Sequence, residues 1–532
     1  MSMERTLQEL PIGIHSFESI RQRNYLYVDK TAKLQRLIES GERYFLSRPR
    51  RFGKSLTLST IEAMFSGRKE LFKGLAAEEW VTEQAKHPAP VLWLDMSSFG
   101  KPSSSMELNN AIVSELEDFA SDHGLALMSE NFEEKNEENT GCARTLRRVI
   151  RALYKDEGYV VVLIDEYDEP MLDSIGDLKK ANSMREVLRS FYTVLKSCDK
   201  YLRFVMLTGI SKFSKTGVFS AMNNLMDISM DWRYGDIVGY TQNELEKNLS
   251  DWIDGASKRM KMSYRELLNR LRDYYDGFCF DGEIKLYNPF SIMQCLAKCE
   301  ISNYWYDSGS PSFVVNYMKQ HAIKSPEEYR HIEVTSDFVS SQEIERARAE
   351  SFLYQSGYLT IERKEEQALI LDYPNREVLD SLSRMYLEHV YHVESYGALG
   401  SQIWKALKTH DIVKVVELYN IALSGIPYDD YKDQGEIWYR SLFLMLLRGA
   451  GITANGEAHT NKGRPDVIAQ FPEQVIVLEF KYAKDSSEVD SKRVEGETQI
   501  QEKNYARPYE GENRAITTAV IVIDGDKRNA VL

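Results

Sequence analysis

Short apolar runs alternate with amphipathic stretches over the first 240 residues of the chain. The runs are rich in Val, Leu, Ile and Phe, as expected for strands that are buried on both faces of a parallel sheet. They lie at residues 43–47, 91–96, 159–165 and 203–209. Apolar residues recur at helical spacing between them, in residues 56–65, 105–120, 143–154 and 184–196. The alternation predicts an α/β domain built on a parallel sheet.

The pattern changes near residue 239, where apolar residues take up helical spacing. A mixture of helices and short strands follows to about residue 395. Residues 401–423 predict an amphipathic helix that breaks near Asp411, and strand-forming residues dominate after residue 450. The polar and acidic residues 129–141 predict a loop.

A phosphate-binding loop is predicted between the first strand and the first helix of this pattern. Gly53, Lys54 and Ser55 match the end of the nucleotide-binding pattern G-x-x-x-x-G-K-[ST], whereas Arg48 replaces its first glycine. A preceding strand and a following helix turn backbone N–H groups toward phosphate. We expect Lys54 to reach the β- and γ-phosphates of ATP and Ser55 to hold Mg²⁺.

Two carboxylates follow the apolar strand of residues 159–165. Asp165 is expected to position Mg²⁺, and Glu166 to polarise the attacking water as a catalytic residue. Thr208 ends the next strand, where it either contacts the γ-phosphate or the water, or only caps the strand. The residues predicted to bind ATP are Arg48, Pro49, Arg50, Arg51, Phe52, Gly53, Lys54, Ser55, Leu56, Asp165 and Thr208.

Several segments resemble the AAA-ATPase-like family of bacterial proteins. These are residues 25–31, 48–55, 163–170, 208–225, 274–280, 286–292 and 303–313. In that family the loop reads Arg-Pro-Arg-Arg-Phe-Gly-Lys-Ser, so Arg48 fits the family although it departs from the general pattern. Pro49 can fix the turn that glycine serves elsewhere. The additional strand at residues 91–96, between the loop and Asp165, suggests the additional-strand class of P-loop NTPases.

A second charged group lies near the C-terminus. Asp466 follows Pro465, and residues 475–481 predict a strand with Glu479 and Lys481 on one face. If the two strands pair, Asp466 and Glu479 can share Mg²⁺ or Mn²⁺ while Lys481 orients or activates water. Glu436 could add a third metal-binding carboxylate. The alternative is a solvated strand end, but charges that end an apolar run are costly unless they are used.

Residues 434–523 predict the order helix, strand, strand, helix, strand, which fits a restriction-endonuclease-like α/β core. This part resembles the PD-(D/E)XK nuclease domain that commonly follows the ATPase in the family. The resemblance implies metal and catalytic roles for Asp466, Glu479 and Lys481, with Glu436 as an acidic companion and Gln499 as a polar contributor. The predicted domains are a P-loop domain at 1–238, a helical or winged-helix-like lid or linker at 239–395, and a nuclease-like domain at 396–532.

Charge and composition narrow the choice of partners. The net charge of −14 argues against nucleic-acid binding through bulk charge, and residues 431–532 carry 14 Lys and Arg against 16 Asp and Glu. Residues 461–464 are the one basic cluster beside the predicted nuclease site. The sequence predicts no secretory signal and no membrane-spanning run, and its five cysteines do not form a disulfide framework. Cys295 and Cys299 are interpreted as structural thiols on a helix rather than as a metal site. These features predict a cytoplasmic protein.

Two functions remain open at this stage. In the first, ATP controls a metal-dependent nuclease, with DNA favoured over RNA as the substrate. In the second, ATP switches a signalling or scaffold protein whose nuclease-like domain binds nucleic acid or protein without cleaving it. A homo-oligomer is possible in either case, and Arg203 and Arg233 are candidates for an arginine that completes a neighbour's ATP site.

Overall fold

The computed structural model describes most of the chain in two compact units. The described residues are 7–127, 141–174, 177–212, 224–307, 312–321, 325–339, 348–393, 396–427, 431, 434–456, 464–471, 473–510 and 514–532. Unit 1 comprises Met1–Gln320 and His331–Asn375, and unit 2 comprises His321–Arg330 and Arg376–Leu532. Most of the predicted middle region belongs to unit 1. The predicted domain boundaries after residues 238 and 395 stay predictions.

Unit 1 contains a parallel sheet of five strands in the order β2-β3-β4-β1-β5. The strands are β1 (Arg43–Ser47), β2 (Val91–Asp95), β3 (Val160–Asp165), β4 (Leu202–Gly209) and β5 (Met226–Asp227). An additional strand separates the loop strand β1 from the acidic strand β3, so the predicted class is confirmed. That strand is β4, whereas the run at residues 91–96 forms the edge strand β2. Sequence order alone does not determine which strands become neighbours, because parallel strands are joined by crossovers.

Fourteen helices of unit 1 are described. They are α1 (Phe17–Gln22), α2 (Thr31–Ser40), α3 (Lys54–Phe65), α4 (Glu78–Gln84), α5 (Ser105–Asp122), α6 (Gly141–Glu157), α7 (Glu169–Leu172), α8 (Leu178–Ser197), α9 (Gln242–Arg259), α10 (Tyr264–Tyr275), α11 (Pro289–Lys298), α12 (Tyr304–Asp307), α13 (Ser312–His321) and α14 (Ala349–Gln355). Helix α3 lies against β2, β3 and β4. Because the strands are parallel, their carboxyl ends meet at the edge of the sheet where α3 begins.

The middle region of unit 1 has its own core. Leu10, Leu26 and Val28 from the N-terminal segment pack with apolar residues of α9, α10 and α11. A small antiparallel sheet follows in the order β6-β8-β7, formed by β6 (Ile332–Val334), β7 (Thr360–Lys364) and β8 (Leu369–Asp372). Helices followed by a small sheet agree with the helical and winged-helix-like expectation for this region.

Unit 2 contains a mixed sheet in the order β13-β12-β11-β10-β9. The long strands β11 and β12 are parallel, and the other pairs are antiparallel. The strands are β9 (Thr453–Gly456), β10 (Val467–Gln470), β11 (Gln474–Ala483), β12 (Ala515–Asp524) and β13 (Asn529–Val531). The helices are α15 (Arg376–Met385), α16 (Tyr396–Lys408), α17 (Ile412–Ser424), α18 (Glu436–Gly449) and α19 (Val489–Lys503), and a π-helical turn at Tyr386–Val390 follows α15.

Local chemistry explains the break between α16 and α17. Asp411 caps α17 by accepting a 2.9 Å hydrogen bond from the Lys414 backbone N–H, and His410 has a positive φ of 59°. The break predicted near Asp411 is therefore confirmed. The acidic loop predicted at residues 129–141 lies outside the described residues, except for Gly141, which begins α6. None of the described helices combines the length and the apolar character needed to cross a bilayer.

Candidate ATP and nuclease sites

The loop between β1 and α3 has the geometry of a helix-terminal phosphate site. Gly53 precedes α3 with a φ of 94°, a left-handed conformation that costs glycine little, and Arg51 also has a positive φ of 69°. The 3% exposed side chain of Lys54 folds back over the loop, where its Nζ donates to the carbonyls of Arg48 (3.2 Å) and Pro49 (3.4 Å). The first turn of α3, including Ser55 and Leu56, presents its N-terminus toward the same space.

Arg48 stabilises the loop from behind. Its buried guanidinium donates to the backbone carbonyls of Ser229 (2.6 Å) and Tyr234 (3.3 Å) and lies 4.2 Å from the ring centre of Phe280. Burial lowers the pKa of Arg48 to about 10, so it still carries a charge at neutral pH. The structure thus places the side chain of Arg48 among protein carbonyls, and only its backbone carbonyl faces Lys54.

The next loop residues are anchored to other parts of unit 1. Pro49 packs so closely on Gly357 that a Cβ added to this glycine would lie 2.6 Å from Pro49 Cβ. Arg50 pairs with Glu169 at 2.8 Å, and its carbonyl accepts a 3.3 Å hydrogen bond from Trp305 Nε1.

Aromatic contacts complete the loop. The guanidinium of Arg51 lies 4.8 Å from the ring centre of Phe290. Phe52 packs edge-on against Phe278 and Phe280. These aromatic residues lie within segments that resembled the family in sequence, so the structure gives those segments a role in supporting the loop.

Asp165 and Thr208 meet at the carboxyl ends of adjacent strands. Asp165 Oδ1 accepts hydrogen bonds from Thr208 Oγ1 and, at 3.0 Å, from the backbone N–H of Glu166. Both side chains are buried, with exposures of 2% for Asp165 and 0% for Thr208. The sequence left the role of Thr208 open, and the structure shows it donating to the carboxylate that is expected to position Mg²⁺.

Glu166 faces Lys54 across the site. Its Oε1 lies 3.3 Å from Lys54 Nζ, whereas its Oε2 is inaccessible to solvent and accepts no hydrogen bond from any described residue. Burial raises the pKa of Glu166 to about 7, against the lowering effect of Lys54. A carboxylate with this pKa can accept a proton near neutral pH.

Asp168 fixes the chain that leaves β4. It accepts 2.6 Å hydrogen bonds from both the backbone N–H and the hydroxyl of Ser211, and a longer one from the Ile210 N–H. Burial raises the pKa of Asp168 to about 6, although the hydrogen bonds from Ser211 oppose the shift. Asp168 was not among the predicted site residues, although it lies within the same acidic segment as Glu166.

Residues 50–57 and Glu166 border a cavity of about 350 Å³ that lies entirely within unit 1, whereas Arg48, Pro49, Asp165, Asp168 and Thr208 are not among its lining residues. Its polar groups come from Arg50, Arg51, Lys54, Ser55, Thr57 and Glu166, and Ile14, Val238, Phe290 and Met293 contribute to its apolar side. Ligand cavities of roughly this size combine apolar walls with a few polar groups, as a base and its phosphates require. The sequence did not reveal the apolar wall, because its residues are widely separated along the chain.

The second site lies in unit 2, where β10 pairs with β11. Val467 is opposite Leu478, so the antiparallel register places Asp466 opposite Glu479. Asp466 Oδ2 accepts a 2.8 Å hydrogen bond from the backbone N–H of Phe480. The alternative of a solvated strand end does not hold, because Asp466, Glu479 and Lys481 are 7%, 1% and 8% exposed.

Lys481 connects the second site to α19. Its Nζ donates to Glu479 Oε1 and to Gln499 Oε1, both at 2.9 Å. Burial alone would lower the pKa of Lys481, but its hydrogen bond and ion pair with Glu479 outweigh that effect and raise it. Lys481 is therefore a cation at neutral pH.

Glu479 keeps one oxygen unsatisfied. Its Oε2 is buried and accepts no hydrogen bond within the described parts of the chain. Burial, with the negative charge of Asp466 adding to it, raises the pKa of Glu479 to about 7.

Burial and the charge of Asp466 also raise the pKa of Glu436, which is half-buried at the start of α18. Three carboxylates thus repel one another around Lys481.

Arg440 is a member of this site that the sequence analysis missed. It lies one turn after Glu436 on α18, and its Nη1 donates to Asp466 Oδ1 at 2.5 Å. Its spacing from Glu436 was a possible signal, because residues four apart share a helix face.

Other predicted residues lie elsewhere. Arg203 lies at the start of β4, at the opposite end of the strand from Thr208, and its side chain reaches Gln84. Arg233 pairs with Asp231. Neither borders the cavity described above. Residues 461–463 of the predicted basic cluster, and residues 213–223 of a segment that resembled the family, lie outside the described residues.

Comparisons with known proteins agree with this arrangement. Residues 11–219 match a family model described as predicted AAA-ATPase, and residues 434–531 match the PD-(D/E)XK nuclease superfamily. An uncharacterized protein in the vnfD 5' region of Azotobacter chroococcum mcd 1 is 32% identical, and the match covers 98% of this chain and 98% of that protein.

Two solved structures are similar to the chain at low identity. A Walker-type ATPase of Pyrococcus abyssi is 13% identical with a TM-score of 0.33, and the match covers 66% of this chain and 94% of that one. The ORC2 protein of Aeropyrum pernix is 13% identical with a TM-score of 0.29, and the match covers 72% and 96% of the two chains. The chain therefore belongs to the same family as the Azotobacter protein, and it combines a predicted AAA-ATPase domain with a C-terminal domain of the PD-(D/E)XK nuclease superfamily.

Proposed function

We propose that the protein hydrolyses ATP in unit 1 and that its C-terminal domain is a metal-dependent phosphodiesterase that acts on nucleic acid, with DNA as the first candidate. The observation that carries the nuclease proposal is the buried Glu479 Oε2, which has no hydrogen-bond partner in the described chain, beside Asp466 and Lys481. A buried carboxylate oxygen without a partner is costly unless a ligand satisfies it.

In unit 1, ATP would place its phosphates at the N-terminus of α3. Lys54 would exchange its bonds to the loop carbonyls for bonds to the β- and γ-phosphates. Glu166 would accept a proton from the water that attacks the γ-phosphate, and its pKa of about 7 suits this role. Ser55 and Asp165 would hold Mg²⁺, which would neutralise phosphate charge.

In unit 2, Asp466 and Glu479 would hold Mg²⁺ or Mn²⁺, with Glu436 as a further oxygen ligand. Such an ion would polarise the phosphodiester and lower the pKa of a bound water. Lys481 is a cation, so it would hold the water or the scissile phosphate through its charge. Gln499 would keep Lys481 in place through their 2.9 Å hydrogen bond.

A second candidate function has a specific observation in its favour. Arg440 already pairs with Asp466 at 2.5 Å and thus occupies one oxygen of a proposed metal ligand. A site closed in this way fits an ATP-switched scaffold or signalling protein whose nuclease-like domain binds nucleic acid or protein without cleaving it.

The test uses the purified full chain with single-stranded DNA, double-stranded DNA and RNA, in Mg²⁺ or Mn²⁺, with and without ATP. We expect metal-dependent cleavage that Asp466→Ala abolishes while ATP binding is retained. Lys54→Ala should instead lose ATP binding. Asp485→Ala, an exposed acidic residue of the same unit, and Lys101→Ala, an exposed lysine of unit 1, are the matched controls.

The outcomes separate the two functions. Cleavage that persists unchanged in Asp466→Ala would exclude the proposed nuclease site. Nucleic-acid or protein binding without cleavage, sensitive to Lys54→Ala, would favour the scaffold function. Unchanged ATP affinity and turnover in Lys54→Ala would remove the ATP site from either proposal.

A further inference from the structure

Three side chains converge at the small sheet β6-β8-β7 of unit 1, and none of them lines the ATP cavity. His331 lies just before β6, Glu362 is on β7, and Asp372 ends the central strand β8. His331 Nδ1 lies 2.9 Å from Glu362 Oε2 and 3.6 Å from Asp372 Oδ2. One ligand atom from each of the three residues lies within 4.8 Å of the other two.

The strand register and the backbone conformation of His331 bring these side chains together. Ile332 pairs with Leu371, so His331 lies opposite Asp372 by continuation of the register. His331 adopts a φ of 52°, a left-handed conformation that is uncommon for histidine.

Glu362 reaches the group through an irregularity in β7. The register between β7 and β8 shifts between Ile361 and Arg363, which leaves Glu362 as the extra residue of a β-bulge. Bulges redirect a side chain and are typical next to functional sites. Because β8 lies between β6 and β7, Glu362 and His331 come from strands that are not neighbours, and their side chains meet over β8.

We propose that His331, Glu362 and Asp372 bind a divalent transition-metal ion such as Zn²⁺, which ties the three strands together. Zn²⁺ takes imidazole nitrogen and carboxylate oxygen at about 2.0–2.2 Å. The three ligand atoms already lie within 4.8 Å of one another, so they need little movement to surround the ion. The imidazole favours Zn²⁺ over Mg²⁺, which prefers oxygen ligands.

The surroundings allow entry and fix the ligands. His331 is exposed, Glu362 is half-buried and Asp372 is buried, so an ion can enter from solvent and meet an anchored carboxylate. Asp372 Oδ1 accepts a 2.8 Å hydrogen bond from the Tyr373 N–H, and Oδ2 lies 3.6 Å from His331 Nδ1. Arg363 also pairs with Glu362 at 2.9 Å, so Glu362 must exchange this partner for the ion.

The test is a Zn²⁺ titration of the nucleotide-free full chain by isothermal calorimetry. We expect His331→Ala to lose one Zn²⁺ site, or to weaken it at least about tenfold, since even the loss of a partner that only supports a metal ligand costs roughly 10- to 100-fold in affinity. His87→Ala removes an exposed imidazole elsewhere in unit 1 and should bind as the wild type does. Asp466→Ala should affect a different Zn²⁺ site. The number of Zn²⁺ sites lost in the double variant His331→Ala/Asp466→Ala should therefore equal the sum of the sites lost in the two single variants.

Thermal unfolding in the presence of Zn²⁺ is a second measurement of binding to the folded chain. Zn²⁺ should raise the Tm of the wild type and of His87→Ala more than that of His331→Ala, because an ion that binds only the folded state stabilises it. Glu362→Gln, at a half-exposed position, should show the same weakening if His331→Ala proves unstable. Equal Zn²⁺ stoichiometry and affinity in all of these variants would overturn the proposal and leave the cluster as a hydrogen-bonded ion pair.

Discussion

Glu166 combines a raised pKa with an oxygen that has no partner among the described residues, and both features point to a role in accepting a proton. We expect Glu166→Gln to bind ATP with nearly wild-type affinity and to lower kcat roughly 10²- to 10⁴-fold, since a general base contributes about this much. Phosphate release and equilibrium binding of a labelled nucleotide measure the two effects. Glu157→Gln, at an exposed position, is the control, and wild-type turnover in Glu166→Gln would contradict the assignment.

Asp168 makes the stability of unit 1 depend on pH. Burial raises its pKa to about 6 in the folded chain. An unperturbed Asp has a pKa of about 3.9, so the folded chain holds a proton on Asp168 more tightly than the unfolded chain does. The contribution of this proton to the free energy of unfolding is fully present below about pH 4 and is lost as the pH rises through about 6. Asp168→Asn cannot titrate and keeps one oxygen for Ser211.

The measurement compares the Tm of Asp168→Asn with that of the wild type at several pH values. As the pH rises from about 5 to about 7.5, the wild type should lose stability and the variant should not, so the Tm difference in favour of the variant should grow. The change should correspond to a free energy of unfolding on the order of 1 kcal/mol. A difference that stays constant over this range would show that Asp168 keeps an ordinary pKa.

Single residues also mark the limit of sequence-based prediction. Lys54, Glu166, Glu479 and Lys481 are recognisable because each lies in a short motif whose spacing carries chemical meaning. Arg440 is not, because its role depends on a contact with Asp466 across 26 residues of chain. The positions of these side chains therefore required the fold.

At the scale of elements, apolar periodicity predicted the long strands well. The run at 159–165 became β3, which is buried throughout, and the run at 203–209 became β4. The short strand β9 went unpredicted because its sequence, Thr-Ala-Asn-Gly, lacks an apolar pattern and it lies at a sheet edge. The order of the strands was also beyond the sequence, as the position of β4 between β1 and β3 illustrates.

The segment after α14 packs against the phosphate loop at Gly357. This residue has a φ of 88°, and a Cβ on it would lie 2.6 Å from Pro49 Cβ. Gly357→Ala is expected to destabilise the loop by roughly 1–3 kcal/mol through backbone strain and to weaken ATP binding as well. Thermal unfolding and nucleotide titration measure the two effects.

A matched glycine substitution tests the cause. Gly255 lies within α9, and no atom lies within 4 Å of a Cβ added to it. Gly255→Ala should stabilise the helix by about 0.5–1 kcal/mol, because alanine loses less conformational freedom on folding. If the two variants behave alike, the close contact at Pro49 does not support the loop.

At the scale of the whole molecule, the sequence identified two kinds of domain but not how the middle region divides. Residues through Asn375, apart from His321–Arg330, belong to unit 1, and this division depends on contacts that no local pattern encodes. The net charge of −14 gave no sign of the local groups of opposite charge that surround Lys54 and Lys481.

All residues around the ATP cavity belong to unit 1, so ATP should stabilise that unit specifically. At about 100 times its Kd, a ligand that binds only the folded state adds about 2.7 kcal/mol. We expect calorimetry of the full chain to show one thermal transition that shifts upward with ATP and one that does not, and Lys54→Ala to remove the shift. A single transition that shifts as a whole would mean that the units unfold together, and two transitions that shift equally would mean that ATP does not act on unit 1 alone.

The contact between Trp305 and the loop has an optical consequence. The indole N–H donates to the carbonyl of Arg50, and Trp305 also borders the cavity. Indole emission responds to the charge and polarity around the ring, so arrival of a triphosphate should change the fluorescence of the native protein without any attached dye. The chain has seven tryptophans. Trp305→Phe should abolish the change in fluorescence on ATP binding, while the other six tryptophans still emit.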